Sequence, residues 1–212
     1  MLTVLIDYES GNLHSAAKAF QRMAGETGGG DVIVSDRAED VARADRIVLP
    51  GDGAFPACAR ALKGRENLFG ALREAVEQKG RPFLGICVGM QLMARIGHEY
   101  EETEGLGWID GEVDRIKPAD PTFKVPHMGW NDLVIDRPHP VLAGIETGQH
   151  AYFVHSYQMH VTAKDQLLAH ADYAGPVTAI VGRDTMVGTQ FHPEKSQATG
   201  LRLIANFLTW RP

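Results

Sequence analysis

Runs of consecutive apolar residues alternate with stretches of helical periodicity through the first half of the chain. Residues 2–7, 31–36, 46–50 and 81–87 each hold a short apolar run, such as Val32-Ile33-Val34, and each predicts a strand of a sheet covered on both faces. Residues 12–24, 38–44, 55–62 and 67–79 predict helices between them, and residues 88–96 predict a helix leaving the last of these strands. Such alternation predicts an α/β fold, with a mostly parallel central sheet flanked by helices. Gly28-Gly29-Gly30 marks a turn between the first helix and the second strand.

The second half changes character. Residues 108–117, 131–136, 151–161, 167–173, 177–182 and 186–191 are short strand candidates separated by Gly, Pro or Asp. They predict additional antiparallel strands, with one return to the main sheet. Residues 196–210 predict a closing amphipathic helix, its apolar stripe formed by Leu201, Ile204, Ala205 and Leu208.

Composition narrows the function. The 212 residues are 44% hydrophobic, enough for one sizeable core, and a single domain over residues 1–212 is expected. A net charge of −6 argues against coating nucleic acid. No window approaches the roughly 18 consecutive apolar residues of a membrane span, and residues 1–7 lack the basic region of a signal peptide. A cytoplasmic setting is expected. The two cysteines, Cys58 and Cys87, form neither a disulfide scaffold nor a zinc ribbon. No His-Glu-x-x-His spacing occurs, so neither metal nor cofactor is expected.

Candidate chemistry centres on Gly85-Ile86-Cys87-Val88-Gly89-Met90-Gln91, where a buried strand runs into a predicted helix with the cysteine at the corner. This is a nucleophile elbow with Cys in place of Ser. The glycines admit close chain approach, and the sulfur emerges at the carboxyl edge of the sheet, near a helix start that favours thiolate. The Val88 N–H is placed to help hold an oxyanion. The other reading of Cys87, a buried core cysteine, is the one that Cys58 fits. A base is offered by Gln190-Phe191-His192-Pro193-Glu194. Pro193 biases His192 toward an extended conformation, and residues two apart in an extended chain share a side, so Glu194 can orient His192. On its own the string also fits a surface turn.

Together these two strings resemble the class I, triad-type glutamine amidotransferases. Five further strings narrow the resemblance: Asp7-Tyr8-Glu9-Ser10-Gly11-Asn12-Leu13, Leu49-Pro50-Gly51-Asp52-Gly53-Ala54-Phe55, Pro126-His127-Met128-Gly129-Trp130-Asn131, Tyr152-Phe153-Val154-His155-Ser156-Tyr157, and Gly188-Thr189 leading through the His192 string to Gln197. They are similar to the branch that serves as glutaminase subunit of imidazole glycerol phosphate synthase, and they run from residue 7 to residue 197. The resemblance implies a flavodoxin-like α/β fold. It also implies hydrolysis of glutamine to glutamate and ammonia, with the ammonia passing to a separate (β/α)8-barrel cyclase subunit in a heterodimer.

Roles follow from that resemblance and from physical need. Cys87 attacks the carboxamide, His192 transfers the protons and Glu194 orients His192. Gly51, Asp52 and Gly53, with Val88, supply oxyanion donors, because two glycines after a strand let the backbone turn an N–H into the site. The resemblance assigns Gln91, Glu99 and the Ser156–Tyr157 backbone to the amino-acid end of glutamine, although Glu99 also reads as part of a solvated acidic loop. It assigns Asn12, Trp130, Tyr152 and Arg183 to the partner face, although Trp130 also reads as a core aromatic. Three rivals remain: a glutaminase for anthranilate, aminodeoxychorismate or pyridoxal phosphate synthesis, a free cysteine peptidase or γ-glutamyl hydrolase, and a non-catalytic interaction module.

Two positions depart from the branch pattern: Asp52 stands where valine is more frequent, and Glu9 where glycine is frequent. Asp52 pointing inward opposes both thiolate and oxyanion and lowers basal activity. Pointing outward it pairs with a partner cation, and otherwise it is a solvated turn carboxylate. On the inward reading Asp52→Val raises ammonia release by the chain alone. Unchanged basal turnover in a coupled glutamate assay removes that reading.

Overall fold

The structure is a computed structural model and describes residues 1–9 and 13–212. Continuous apolar strands build its centre. β1 (Leu2–Ile6), β2 (Asp31–Ser35), β3 (Arg46–Gly51) and β4 (Phe83–Cys87) run parallel, and Val4, Leu5, Ile47, Leu49, Phe83 and Leu84 are fully buried between layers. The helices between them are α1 (Leu13–Thr27), α2 (Ala38–Arg43), α3 (Phe55–Lys63) and α4 (Glu66–Arg73), the last continuing through a π-helical turn at Glu74–Gln78. The start predicted for the first helix, Asn12, lies outside the described residues. Gly28 and Gly30 have positive φ in the predicted turn.

After β4 the predicted helix is a single turn, α5 (Val88–Gln91). Length is lost because other chain takes the acceptors. The carbonyls of Leu92, Met93, Ala94 and Arg95 receive N–H groups from residues 105–109 instead of from a further helical turn. The short strands β5 (Ile96–Gly97), β6 (Thr103–Glu104) and β7 (Gly111–Arg115) follow.

The next predicted strands are divided. β8 (His127–Asp132) and β9 (Val134–Ile135) join different sheets, and Ser156 separates β10 (His150–His155) from β11 (Tyr157–Val161). β12 (Leu167–Asp172), β13 (Pro176–Arg183) and β14 (Met186–Thr189) complete an eight-stranded mixed sheet in the order β2-β1-β3-β4-β14-β13-β12-β9. The expected return is β14, which pairs parallel to β4 while β13, β12 and β9 add antiparallel. Two smaller sheets, β10-β8 and β11-β7-β5-β6, lie beside it.

The closing helix α6 (Gln197–Thr209) buries Gly200, Leu203, Ile204, Phe207 and Leu208. That face is centred on Leu203 and Phe207 rather than on the predicted stripe; Leu201 and Ala205 stand half-buried at its rim. The rotation is set by α1, whose Phe20 meets Phe207 edge-on at 6.4 Å between ring centres.

Close packing at the β4–α5 corner depends on missing side chains. A Cβ on Gly89 would run into the carbonyl oxygen of Leu49 in β3, and one on Gly85 would lie 2.6 Å from the Gly89 carbonyl. Both obstacles are buried backbone, of β3 and of the first turn of α5, and neither can yield. Gly70 of α4 is exposed, with nothing within 4 Å of an added Cβ. Chemical denaturation is expected to show Gly89→Ala losing about 1–3 kcal/mol or more and Gly70→Ala gaining about 0.4–1 kcal/mol.

Candidate active site

β4 and β14 are parallel neighbours in register, Ile86 opposite Thr189. Their carboxyl ends therefore lie side by side, at the usual inter-strand spacing of about 4.8 Å. One residue further, β4 presents Cys87 and the chain after β14 presents Gln190. Cys87 has φ 56° and ψ −112°, a strained conformation that costs about 1–3 kcal/mol and turns the sulfur out of the strand. The elbow is therefore present. Because α5 has only four residues, the helix dipole expected behind the sulfur is replaced by local contacts. Among these, the Gln190 side-chain amide donates to Cys87 Sγ at 3.7 Å.

On one side the Cys87 thiol acts on the His192 ring. On the other its Nδ1 is 2.9 Å from Glu194 Oε1, with Glu194 only 3% exposed at its side chain. The backbone fixes this pair. His192 N–H donates to the Tyr152 carbonyl at 3.1 Å, Ser196 Oγ donates to the His192 carbonyl at 2.7 Å, and Tyr152 N–H donates to Ser196 Oγ at 2.9 Å. Burial opposes charge on the imidazole, but the hydrogen bonds and charges of Cys87 and Glu194 override it and push the His192 pKa up to about 10. His192 thus holds its proton at neutral pH.

A cavity of about 300 Å³ opens beside the sulfur, lined by Cys87, Val88, Gln91, Glu99, Asp52, Gly53, Ser156 and Tyr157 among others. The oxyanion and substrate residues expected from sequence therefore surround it, apart from Gly51, which pairs with Cys87 at the end of β3. Gly53 has φ 116°, which suits glycine. The Asp52 carbonyl accepts from Cys58 Sγ at 3.7 Å, so the buried second cysteine underlies the Gly51–Gly53 segment. Glu99 is buried and accepts the Phe55 N–H at 2.8 Å, capping α3 while also facing the cavity. Gln91 Nε2 donates to the Tyr157 carbonyl and to Gln190 Oε1, each at 3.0 Å.

Trp130 and Tyr152 meet edge-on at 5.8 Å behind His192, and Trp130 is 47% exposed, so it is no core aromatic. Arg183 does not join them. It pairs with Met186 at the opposite, amino-terminal edge of β4 and β14, and Arg183 Nη1 donates to the Trp108 carbonyl at 3.3 Å. Asn12 lies outside the described residues. Separately, His98, Glu112 and Asp114 bring ligand-type atoms within 4.8 Å of one another, and Arg95 and His98 contact Glu112 in an exposed ion-pair cluster. Among the described residues no helix is long and apolar enough to cross a membrane.

Sequence reading places Gln190 and His155 within motif strings but assigns neither a role; no acid stands two residues after His155. Gln190 sits in the His192 string and is fully buried, while His155 is 6% exposed beside the cavity. Position next to known motif residues was the signal for both; their hydrogen-bond partners come from distant chain.

The sequence profile of class-I glutamine amidotransferases matches residues 4–210. The chain is 74% identical, over the full length of both, to the imidazole glycerol phosphate synthase subunit HisH of Cereibacter sphaeroides, and 71% identical, again over both full lengths, to that of Ruegeria pomeroyi. A glutamine amidotransferase crystal structure shares the fold at TM-score 0.72 and 18% identity, covering 97% of this chain and 96% of that one.

The raised His192 pKa has a testable consequence. Stabilisation from the protonated ring is complete below pH 6.5, its ordinary pKa, and is lost as pH rises toward about 10. Glu194→Gln removes one of the raising charges, so the pKa falls toward its ordinary value. An NMR titration of His192 reads that fall. In urea unfolding, the wild-type chain is expected to lose more stability than the variant between those two pH values.

Proposed function

The chain belongs to the class-I glutamine amidotransferase family, and on that premise we propose that Cys87, His192 and Glu194 hydrolyse the side-chain carboxamide of glutamine. Its place is that of the glutaminase subunit of imidazole glycerol phosphate synthase in histidine biosynthesis, in keeping with identity of 74% over the whole of both chains. The observation that carries the residue assignment is the Cys87–His192–Glu194 array at the mouth of a cavity sized for an amino acid.

Cys87 attacks the carboxamide carbon, and the carbonyl oxygen becomes an oxyanion held by the Val88 N–H and the Gly51–Gly53 segment. His192 gives its proton to the departing ammonia, leaving a γ-glutamyl thioester. Water then attacks the thioester while His192 takes up its proton, and collapse of the tetrahedral intermediate expels the Cys87 sulfur as thiolate, releasing glutamate and restoring the protonated His192. Glu194 keeps the ring oriented throughout. The N–H groups of Gln91 Nε2 are committed to Tyr157 and Gln190, which leaves its amide oxygen, with the Glu99 carboxylate, to accept from the α-ammonium of glutamine.

Ammonia passes to a separate cyclase, a (β/α)8 barrel joined in a heterodimer. The cyclase converts a phosphoribulosyl formimino carboxamide nucleotide to imidazole glycerol phosphate and aminoimidazole carboxamide ribotide. Met128 and Trp130, exposed on β8 directly behind the Tyr152–His192 contact, suit the docking face. Arg183, at the far edge of the sheet, is not part of that face on this reading. Residues 1–212 act as one domain, and a cytoplasmic setting suits a free nucleophilic thiol.

Mixing the chain with the cyclase and its acceptor nucleotide is expected to raise glutamate release well above that of either protein alone. Cys87→Ala is expected to lower it by about a thousandfold or more without loss of complex formation on a sizing column. Stimulation by a chorismate-using subunit instead overturns the assignment to this synthase.

A further inference from the structure

β8 has two different faces. Met128, Trp130 and Asp132 point outward, whereas His127 is buried and Asn131 lies on the same inner side. His127 stands directly across from His155 of β10, and their rings join through Nδ1 of His127 and Nε2 of His155 at 3.0 Å. His155 Nδ1 lies 2.8 Å from the Tyr157 carbonyl, and Asn131 Nδ2 lies 3.2 Å from His127 Nε2. His127 also stacks on Phe153 with ring centres 4.7 Å apart.

The proton positions follow from the partners. A carbonyl only accepts, so His155 carries its proton on Nδ1. Burial pushes the pKa of His155 down to about 3 and of His127 to about 4, so both rings are neutral. His155 Nε2 then accepts from His127 Nδ1–H, and His127 Nε2 accepts from the Asn131 amide. The other N–H of that amide goes to the Asp172 carbonyl at 2.9 Å, and its oxygen accepts the Asp132 N–H at 2.8 Å. Every group has one role, and the direction of the chain is fixed.

The Tyr157 carbonyl is the junction. His155 reaches it from one side and Gln91 from the other, and Gln91 continues through Gln190 to Cys87. We propose that Asn131, His127 and His155 are positioning residues, a neutral bridge that sets the Ser156–Tyr157 turn of the glutamine pocket from the strand presenting Trp130. This rests on the glutaminase reading above and extends it: the inner face of the docking strand governs glutamine binding. Without the His127 donor, His155 Nε2 is a buried acceptor with no partner. The ring can then rotate or change tautomer, and the turn loses one of its two anchors.

Steady-state glutamine hydrolysis by the complex with cyclase and acceptor nucleotide tests it. His127→Phe keeps the ring stacked on Phe153 and removes both hydrogen bonds. It is expected to raise KM for glutamine about three- to tenfold, the worth of one neutral hydrogen bond, with kcat within about twofold. Asn131→Leu is expected to raise KM on its own but to add nothing in the His127→Phe background, because both break one bridge. His127→Asn, which keeps a donor near the Nδ1 position, restores most of the KM; His127→Gln, which places it further out, does not. Unchanged KM in His127→Phe, multiplying effects of the two changes, or equal behaviour of the Asn and Gln variants each overturn the bridge. Should His127→Phe fail to fold, the Asn–Gln comparison decides alone. A wild-type complex that releases no glutamate overturns the glutaminase reading itself, whereas an active wild-type complex matched by His127→Phe overturns only the bridge.

Discussion

Parallel pairing of β4 with β14 is the constraint on which the site depends. Cys87 and His192 are separated by more than a hundred residues, and no local interaction can hold them together. In-register hydrogen bonding of Ile86 with Thr189 ends both strands at one edge, and the next residues of each meet there. β3 extends the same edge, with Gly51 beside Cys87, so Cys87, the Gly51–Gly53 segment and the His192 string are delivered by three adjacent strands. The central position of these strands also explains their glycines. A side chain at Gly89 would strike the β3 backbone, and the elbow would open.

Burial sets the electrostatics of the site. His192 and Glu194 are almost wholly buried, so their mutual attraction is little screened, and the sulfur adds to it. Burial acts in the opposite sense on His127 and His155, which among the described residues have no acidic hydrogen-bond partner and stay neutral. Three histidines within one region thus divide into one that holds a proton and two that do not. Their partners decide this, not their residue type.

Much of the fold was legible in the sequence because buried parallel strands are written as unbroken apolar runs. The runs at residues 46–50 and 81–87 became central strands, and the change at mid-chain marked the antiparallel additions. The elbow and the His192 string were legible because Gly, Cys and Pro each force a local conformation. The errors have a common cause. The helix expected over residues 88–96 stops after one turn because residues 105–109 take its carbonyls, and the stripe of α6 is rotated because Phe207 packs on Phe20. Both outcomes are set by chain far away in sequence.

The sequence by itself determined the α/β class and singled out the Cys87 elbow and the His192–Glu194 string as candidates, since local sterics and periodicity are properties of a few neighbouring residues. Only the tertiary structure decided which side chains meet. It placed Arg183 on the edge remote from Trp130, put Cys58 beneath Asp52, and tied Gln91, Gln190 and Cys87 into one chain of contacts. It also set the charge of His127, His155 and His192. Hydrogen-bond partners and dielectric surroundings arise from packing, and packing joins residues whose separation in sequence carries no trace of their contact.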